Sequence, residues 1–135
     1  MKIAFKVFGT FVGILLLSSV VVMAVEHFVG NISGSSVLIV CFAVHTAGKA
    51  YFKYHRSEPA PLSLHGYVAS MFLFLVVPAW ALIKMVSIYS NELSVLGGSH
   101  LMPLWLGLLA IVYKIMQYVF MRGVRDAQKA NAVAA

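Results

Sequence analysis

Four long runs of apolar residues, separated by short polar segments, make up nearly the whole chain. A helix needs roughly 20 mostly apolar residues to cross the hydrocarbon core of a bilayer, and each run approaches that length. Backbone groups in that core must satisfy one another, and the alternation typical of a barrel strand is absent. The pattern therefore predicts an all-α protein, a bundle of four transmembrane helices at residues 7–25, 35–54, 67–89 and 101–121.

Proline and glycine mark the expected boundaries of these helices. Pro59 and Pro61 follow the second apolar run, and glycines at 97 and 98 separate the third run from the fourth. Pro78 lies inside the third run and predicts a kink, because proline removes a helix hydrogen bond. The alanine-rich segment 126–135 is predicted to be a frayed tail, so residues 1–135 form a single membrane domain.

Composition agrees with a membrane protein. Hydrophobic residues make up 61% of the chain and charged residues 10%, whereas about a quarter of a soluble domain is charged. The net charge of +6 comes from basic residues that flank or interrupt the apolar runs, which indicates membrane orientation and no nucleic-acid partner.

Counting lysine and arginine predicts the orientation. The basic residues before the first helix, between the second and third, and after the fourth are Lys2, Lys6, Lys53, Arg56, Arg122, Arg125 and Lys129. The positive-inside rule then places both termini in the cytoplasm and Asn31 and Gly97 outside. The first run also resembles a signal peptide. Its apolar part exceeds the 7–15 residues usual for a signal, so an uncleaved helix is favoured.

Polar side chains within the apolar runs are the main functional clue. His45 and Lys49 lie in the second helix, and Lys114 and Gln117 in the fourth. Both helices are predicted to run from outside to inside, so Lys49 and Lys114 should lie at matching depth in one polar layer. The two lysines either extend to the membrane surface, bind an anionic group such as a lipid phosphate, or contact an acidic partner.

No acidic residue is expected at the depth of that layer. The four acids are predicted at or beyond helix ends: Glu26, Glu58, Glu92 and Asp126. A carboxylate relay for protons or cations is therefore not expected. His45 is predicted to be a hydrogen-bonded packing residue. No second histidine is expected at its depth to complete a haem site, and the sequence predicts no metal or other cofactor.

Small residues mark two helix faces that permit close approach. They are Gly9 and Gly13 in the first helix and Ala43, Ala47 and Gly48 in the second. Missing side chains let another helix come near, which favours internal packing over self-association.

One segment is similar to a known group of proteins. Residues 47–53 (AGKAYFK), with Arg56, Pro59 and Gly66, resemble a stretch in an uncharacterised family of small four-pass inner-membrane proteins of Gram-negative bacteria. The resemblance spans about 20 residues and implies a bacterial inner membrane as the location.

These observations predict a non-enzymatic protein, since no nucleophile with a base partner and no phosphate-binding glycine loop is present. The leading hypothesis is an interaction protein of the inner membrane, either an immunity or modulator protein for a membrane-acting toxin or a small subunit of a membrane complex. Its partners would be the bilayer and a membrane-embedded protein or a second copy. The alternative is a small transporter or channel subunit for an anionic or neutral solute.

Overall fold

The computed structural model describes residues 2–30, 33–89 and 102–134, and most of these residues are helical. The elements are α1 (Lys2–Val29), α2 (Ser35–His55), α3 (Pro61–Tyr89) and α4 (Met102–Ala134). All four are long and apolar enough to cross a membrane. The prediction of an all-α protein with four helices of this kind is confirmed. Asn31 and Gly97, which were predicted to face outward, lie outside the described residues.

The helices extend beyond the apolar runs that predict them. Helix α1 begins at Lys2, and α4 continues to Ala134, through the segment for which the sequence predicts a frayed tail. The end of an apolar run is therefore not the end of the helix in this structure. Alanine, arginine, lysine and glutamine have high helix propensity, so the chain continues as a helix past residue 121. Val124 is fully buried and anchors this extension.

Two residues with positive φ angles flank α2. Gly34 has a φ of 84° and precedes the helix, and Arg56 has a φ of 56° and follows it. The backbone N–H of Arg56 donates a hydrogen bond of 2.8 Å to the carbonyl of Phe52, which closes the last turn. The next helix then starts at Pro61, where a missing N–H costs little. Pro78 lies inside α3, and the helix continues on both sides of it.

Helices α1 and α2 form an antiparallel hairpin with contacts near both ends. At one end, the hydroxyl of Ser35 donates a hydrogen bond of 2.9 Å to the Glu26 carboxylate. At the other end, the Lys6 ammonium lies 5.3 Å from the centre of the Tyr54 ring. The hairpin thus aligns the first two apolar runs side by side.

Helix α4 is antiparallel to α2. Moving forward along α2, His45 contacts Asp126, and Tyr51 contacts Phe120 at a ring distance of 6.0 Å. Residue numbers therefore fall along α4 as they rise along α2. The prediction that both helices run in the same direction is wrong for this structure. That prediction assumes that successive helices cross the bilayer in alternating directions. It does not take into account the side-chain contacts that pair α2 with α4.

Helix α2 lies between α1 and α4 and supplies the largest share of the core. The fully or nearly fully buried apolar side chains come from all four helices: Val7, Phe11, Ala43, Val44, Ala47, Tyr51, Phe52, Val68, Met71, Met116, Phe120 and Val124. Within the described ranges, no polar or charged residue is buried. The interior is held by apolar packing and aromatic contacts.

Helix α3 reaches both outer helices with its first half. Its Phe72 ring lies 5.5 Å from Tyr113 of α4, and its Phe74 ring lies 5.6 Å from Phe8 of α1. Beyond residue 76, the described side chains of α3 are exposed. Large exposed apolar side chains such as Trp80 and Leu82 suit a hydrocarbon environment better than water.

Candidate functional site at the contact between α2 and α4

Two glycines let the backbones of α2 and α4 touch. A Cβ atom added at Gly48 would collide with the carbonyl oxygen of Phe120, and one added at Gly123 would collide with the carbonyl oxygen of His45. The Gly48 position would also lie 3.2 Å from the backbone nitrogen of Val124. Each helix thus contributes a glycine opposite the other helix's backbone, and any side chain there would force them apart.

Of the small residues predicted in α2, Gly48 lies at this contact. Ala43 and Ala47 are fully buried in the core. Gly123 was missed by the sequence analysis. The sequence contains one signal for it, an isolated glycine within a helical pattern. Such a glycine lowers helix stability and can allow close packing.

The two glycines of α1 make no close contact with another helix in the described chain. A Cβ added at Gly9 or Gly13 would meet no heavy atom within 4 Å. Internal packing at these two glycines stays a prediction. The buried residues of α1 are Val7 and Phe11, and the positions of Gly9 and Gly13 are left uncovered within the described chain.

His45 and Asp126 form an ion pair across the same contact. The Nε2 atom of His45 lies 3.0 Å from a carboxylate oxygen of Asp126, and their side chains are 24% and 41% exposed. The expectation of a hydrogen-bonded His45 agrees with this geometry. Asp126, predicted to lie beyond the end of the fourth helix, lies within α4 at the level of His45.

The predicted polar layer does not assemble. Antiparallel packing places Lys49, one turn beyond His45, near the level of Arg122. Lys114 lies eight residues from Arg122 along α4, a distance of about 12 Å at 1.5 Å per residue. Lys49 and Lys114 are both exposed and occupy different levels of the bundle.

Gln117 joins a separate polar cluster between α3 and α4. Its amide nitrogen donates a hydrogen bond of 2.7 Å to Nδ1 of His65, and the Tyr113 hydroxyl lies 3.0 Å from the same nitrogen. The His65 and Tyr113 rings are also stacked, with centroids 6.2 Å apart. This cluster links α3 to α4 at an exposed position.

A shallow groove follows one face of α4 in two parts. The first part has a volume of about 440 Å³ and is lined by Ala110, Ile111, Lys114, Ile115 and Tyr118. The second has a volume of about 310 Å³ and is lined by Tyr118, Met121, Arg122, Arg125, Asp126 and Lys129. Tyr118 belongs to both parts, so the groove changes from apolar to basic along a single helix.

The polar side chains described above form contacts between helices. In the described part of the chain, no three histidine, cysteine, aspartate or glutamate side chains gather closely enough to share a metal ion. Hydrogen bonds and ion pairs between helices account for the side-chain chemistry seen at the α2 and α4 contact.

In comparisons with known proteins, no family model, no curated protein and no solved structure matches this chain. The resemblance of residues 47–66 to small four-pass inner-membrane proteins stays a prediction.

The glycine contact gives a test of the α2 and α4 packing. We expect Gly48→Ala and Gly123→Ala each to lower the free energy of unfolding by about 1–3 kcal/mol, because the added methyl group overpacks a backbone contact. Thermal unfolding in mild detergent, followed by circular dichroism, measures this.

Gly107→Ala is the matched control, since nothing lies within 4 Å of its Cβ position on α4. It should be neutral or stabilising by up to about 1 kcal/mol, because alanine favours helix more than glycine does. Equal stability of all three variants would contradict the close contact.

The His45 and Asp126 pair should show measurable coupling. In a double-mutant cycle with His45→Gln and Asp126→Asn, we expect a small favourable coupling free energy, because both groups are partly exposed to screening. Denaturant unfolding of the four proteins gives this value. Strictly additive effects would show that the pair does not stabilise the α2 and α4 contact.

Proposed function

We propose that this protein is a non-enzymatic integral membrane protein that acts through contacts of its helix surfaces. One observation carries the proposal: large apolar side chains cover the outer faces of α1, α3 and α4, while the buried set between the helices is small. Examples are Leu17 and Val21 on α1, which are 62% and 54% exposed. An outer surface of this kind suits lipid and other membrane helices.

The proposed partner is a second membrane-embedded protein. The glycine face of α1 supports this, because Gly9 and Gly13 leave space for a helix and no described residue fills it. A partner helix that packs there would bury backbone as well as side chains, as small-residue contacts in membranes do. In concrete form, the protein is an immunity or modulator protein for a membrane-acting toxin or a small subunit of a membrane complex.

The transport alternative receives less support. It depended on Lys49 and Lys114 forming one layer inside the bundle, and these residues lie at different levels. The described interior contains no buried polar or charged side chain that would line a solute path. No observation favours this alternative over the interaction hypothesis.

We also propose a location in a bacterial inner membrane with the amino terminus and the segment around Arg56 in the cytoplasm. Lys2, Lys6, Lys53 and Arg56 support this placement by the positive-inside rule. The antiparallel packing of α1 and α2 supports it too, since it places both of these basic segments at one end of the hairpin. The basic residues at the end of α4 favour a cytoplasmic carboxyl terminus as well, whereas the antiparallel packing of α4 against α2 favours the opposite side.

Crosslinking at the uncovered face of α1 tests the interaction hypothesis. A photoreactive amino acid at Leu17, which lies on the same helix face as Gly9 and Gly13, should yield a discrete protein adduct in native membranes. Leu106 on α4 is the control, because its exposure of 63% matches the 62% of Leu17. We expect lipid adducts alone at Leu106. Lipid adducts alone at both positions would contradict a partner on this face of α1.

The position of the carboxyl terminus tests the orientation. Reporter fusions after Glu58 and after Ala135 should both be active in the cytoplasm, because basic residues flank both sites. Alternate helices of a four-pass protein run in the same direction. Helix α4 is antiparallel to α2 in this structure, so a periplasmic carboxyl terminus would agree with that packing and would overturn the proposed orientation.

Disulfide crosslinking distinguishes the two arrangements in the membrane. In a Cys41→Ala background, His45→Cys with Asp126→Cys should not crosslink if four crossings place α2 and α4 in the same direction. Efficient crosslinking with a periplasmic carboxyl terminus would overturn the proposed orientation and establish the antiparallel contact in the membrane.

A further inference from the structure

The basic residues at the end of α4 share one face of the helix. Arg122, Arg125 and Lys129 follow Tyr118 at spacings of four, three and four residues, which places them in a single row. None of these three basic side chains forms an ion pair or a hydrogen bond with any residue in the described ranges. Their charges are therefore available to an external anion.

The single acid in this part of the groove is already engaged. The Asp126 carboxylate contacts His45 at 3.0 Å. It offsets one of three positive charges in the groove, so the lining keeps an excess of positive charge. Arginine side chains suit phosphate oxygens because the planar guanidinium donates two parallel hydrogen bonds.

The apolar part of the groove continues directly from the basic part. Ile111 and Ile115 lie about two turns and one turn before Tyr118 on the same face, and the groove there has a volume of about 440 Å³. Tyr118 is 65% exposed and lines both parts. A tyrosine with an apolar ring and a polar hydroxyl suits the boundary between hydrocarbon and headgroups.

We propose that this face of α4 binds an anionic phospholipid. The phosphate lies among Arg122, Arg125 and Lys129, and an acyl chain follows the surface of Ala110, Ile111, Ile115 and Tyr118, which Lys114 also lines. A free phosphate would use only the basic part, and a neutral lipid only the apolar part. Both parts are continuous on one helix face, so the ligand that fits them has an anionic head and an apolar chain. The site lies within α4, so it does not depend on the partner proposed for α1.

Native mass spectrometry of the detergent-purified protein tests this site. The probes are phosphatidylglycerol, phosphatidylcholine and inorganic phosphate, each titrated separately. We expect retention of phosphatidylglycerol well above the other two. Arg122→Gln with Arg125→Gln should weaken this retention by about thirtyfold, since each basic residue near an anionic lipid contributes roughly a fivefold factor.

Lys2→Gln with Lys53→Gln is the matched control, because it removes the same charge from exposed positions on other helices. It should retain phosphatidylglycerol within about twofold of the wild type. Equal losses in the two double variants would overturn the site in favour of general charge attraction. Displacement of phosphatidylglycerol by an equal concentration of inorganic phosphate would overturn the lipid assignment in favour of a free anion.

A salt titration of the wild-type protein tests the same site without relying on a variant that folds. Phosphatidylglycerol retention should fall steeply between low and high ionic strength, because exposed charges are screened by salt. Retention that is independent of salt would overturn a phosphate contact at these residues.

Discussion

The backbone contact between α2 and α4 at Gly48 and Gly123 is the constraint on which the rest of the structure depends. It brings the carbonyls of Phe120 and His45 against the facing helix, beside the backbone of the buried Val124. The approach also carries Asp126 within 3.0 Å of His45. Because α1 packs on the other side of α2, and α3 bridges α4 and α1 through Phe72 and Phe74, each remaining helix is positioned relative to this pair.

The protein has a small buried core and a wide apolar exterior, and its proposed functions depend on that exterior. The core is held by side chains such as Phe11, Met71 and Phe120, whereas most of α1 and residues 77–85 of α3 face outward. Surfaces of that kind interact with lipid tails or with other membrane helices. The uncovered Gly9 and Gly13 face supports a helix partner, and the arrangement of charges on α4 supports a lipid headgroup.

Helix α4 has two parts with different physical roles. Its first part, through Tyr118, is apolar and suits the hydrocarbon core. Its second part carries Arg122, Arg125 and Lys129 on one face and buries Phe120 and Val124 on another. The same helix thus provides a packing surface for α2 and a charged surface for ligands, since helical spacing separates these residues onto different faces.

The sequence by itself determined that the protein is all-α, that it has four helices able to cross a membrane, and where most of those helices lie, because apolar run length is a local property. It also indicated that Ala43, Ala47 and Gly48 permit close helix approach. The partners of these residues were decided only by the tertiary structure. Gly123, the His45 and Asp126 pair, and the separation of Lys49 from Lys114 depend on the direction and register of α4 along α2. Those two quantities are set by side chains more than 70 residues apart, such as His45 and Asp126 at a separation of 81, and no local pattern encodes them.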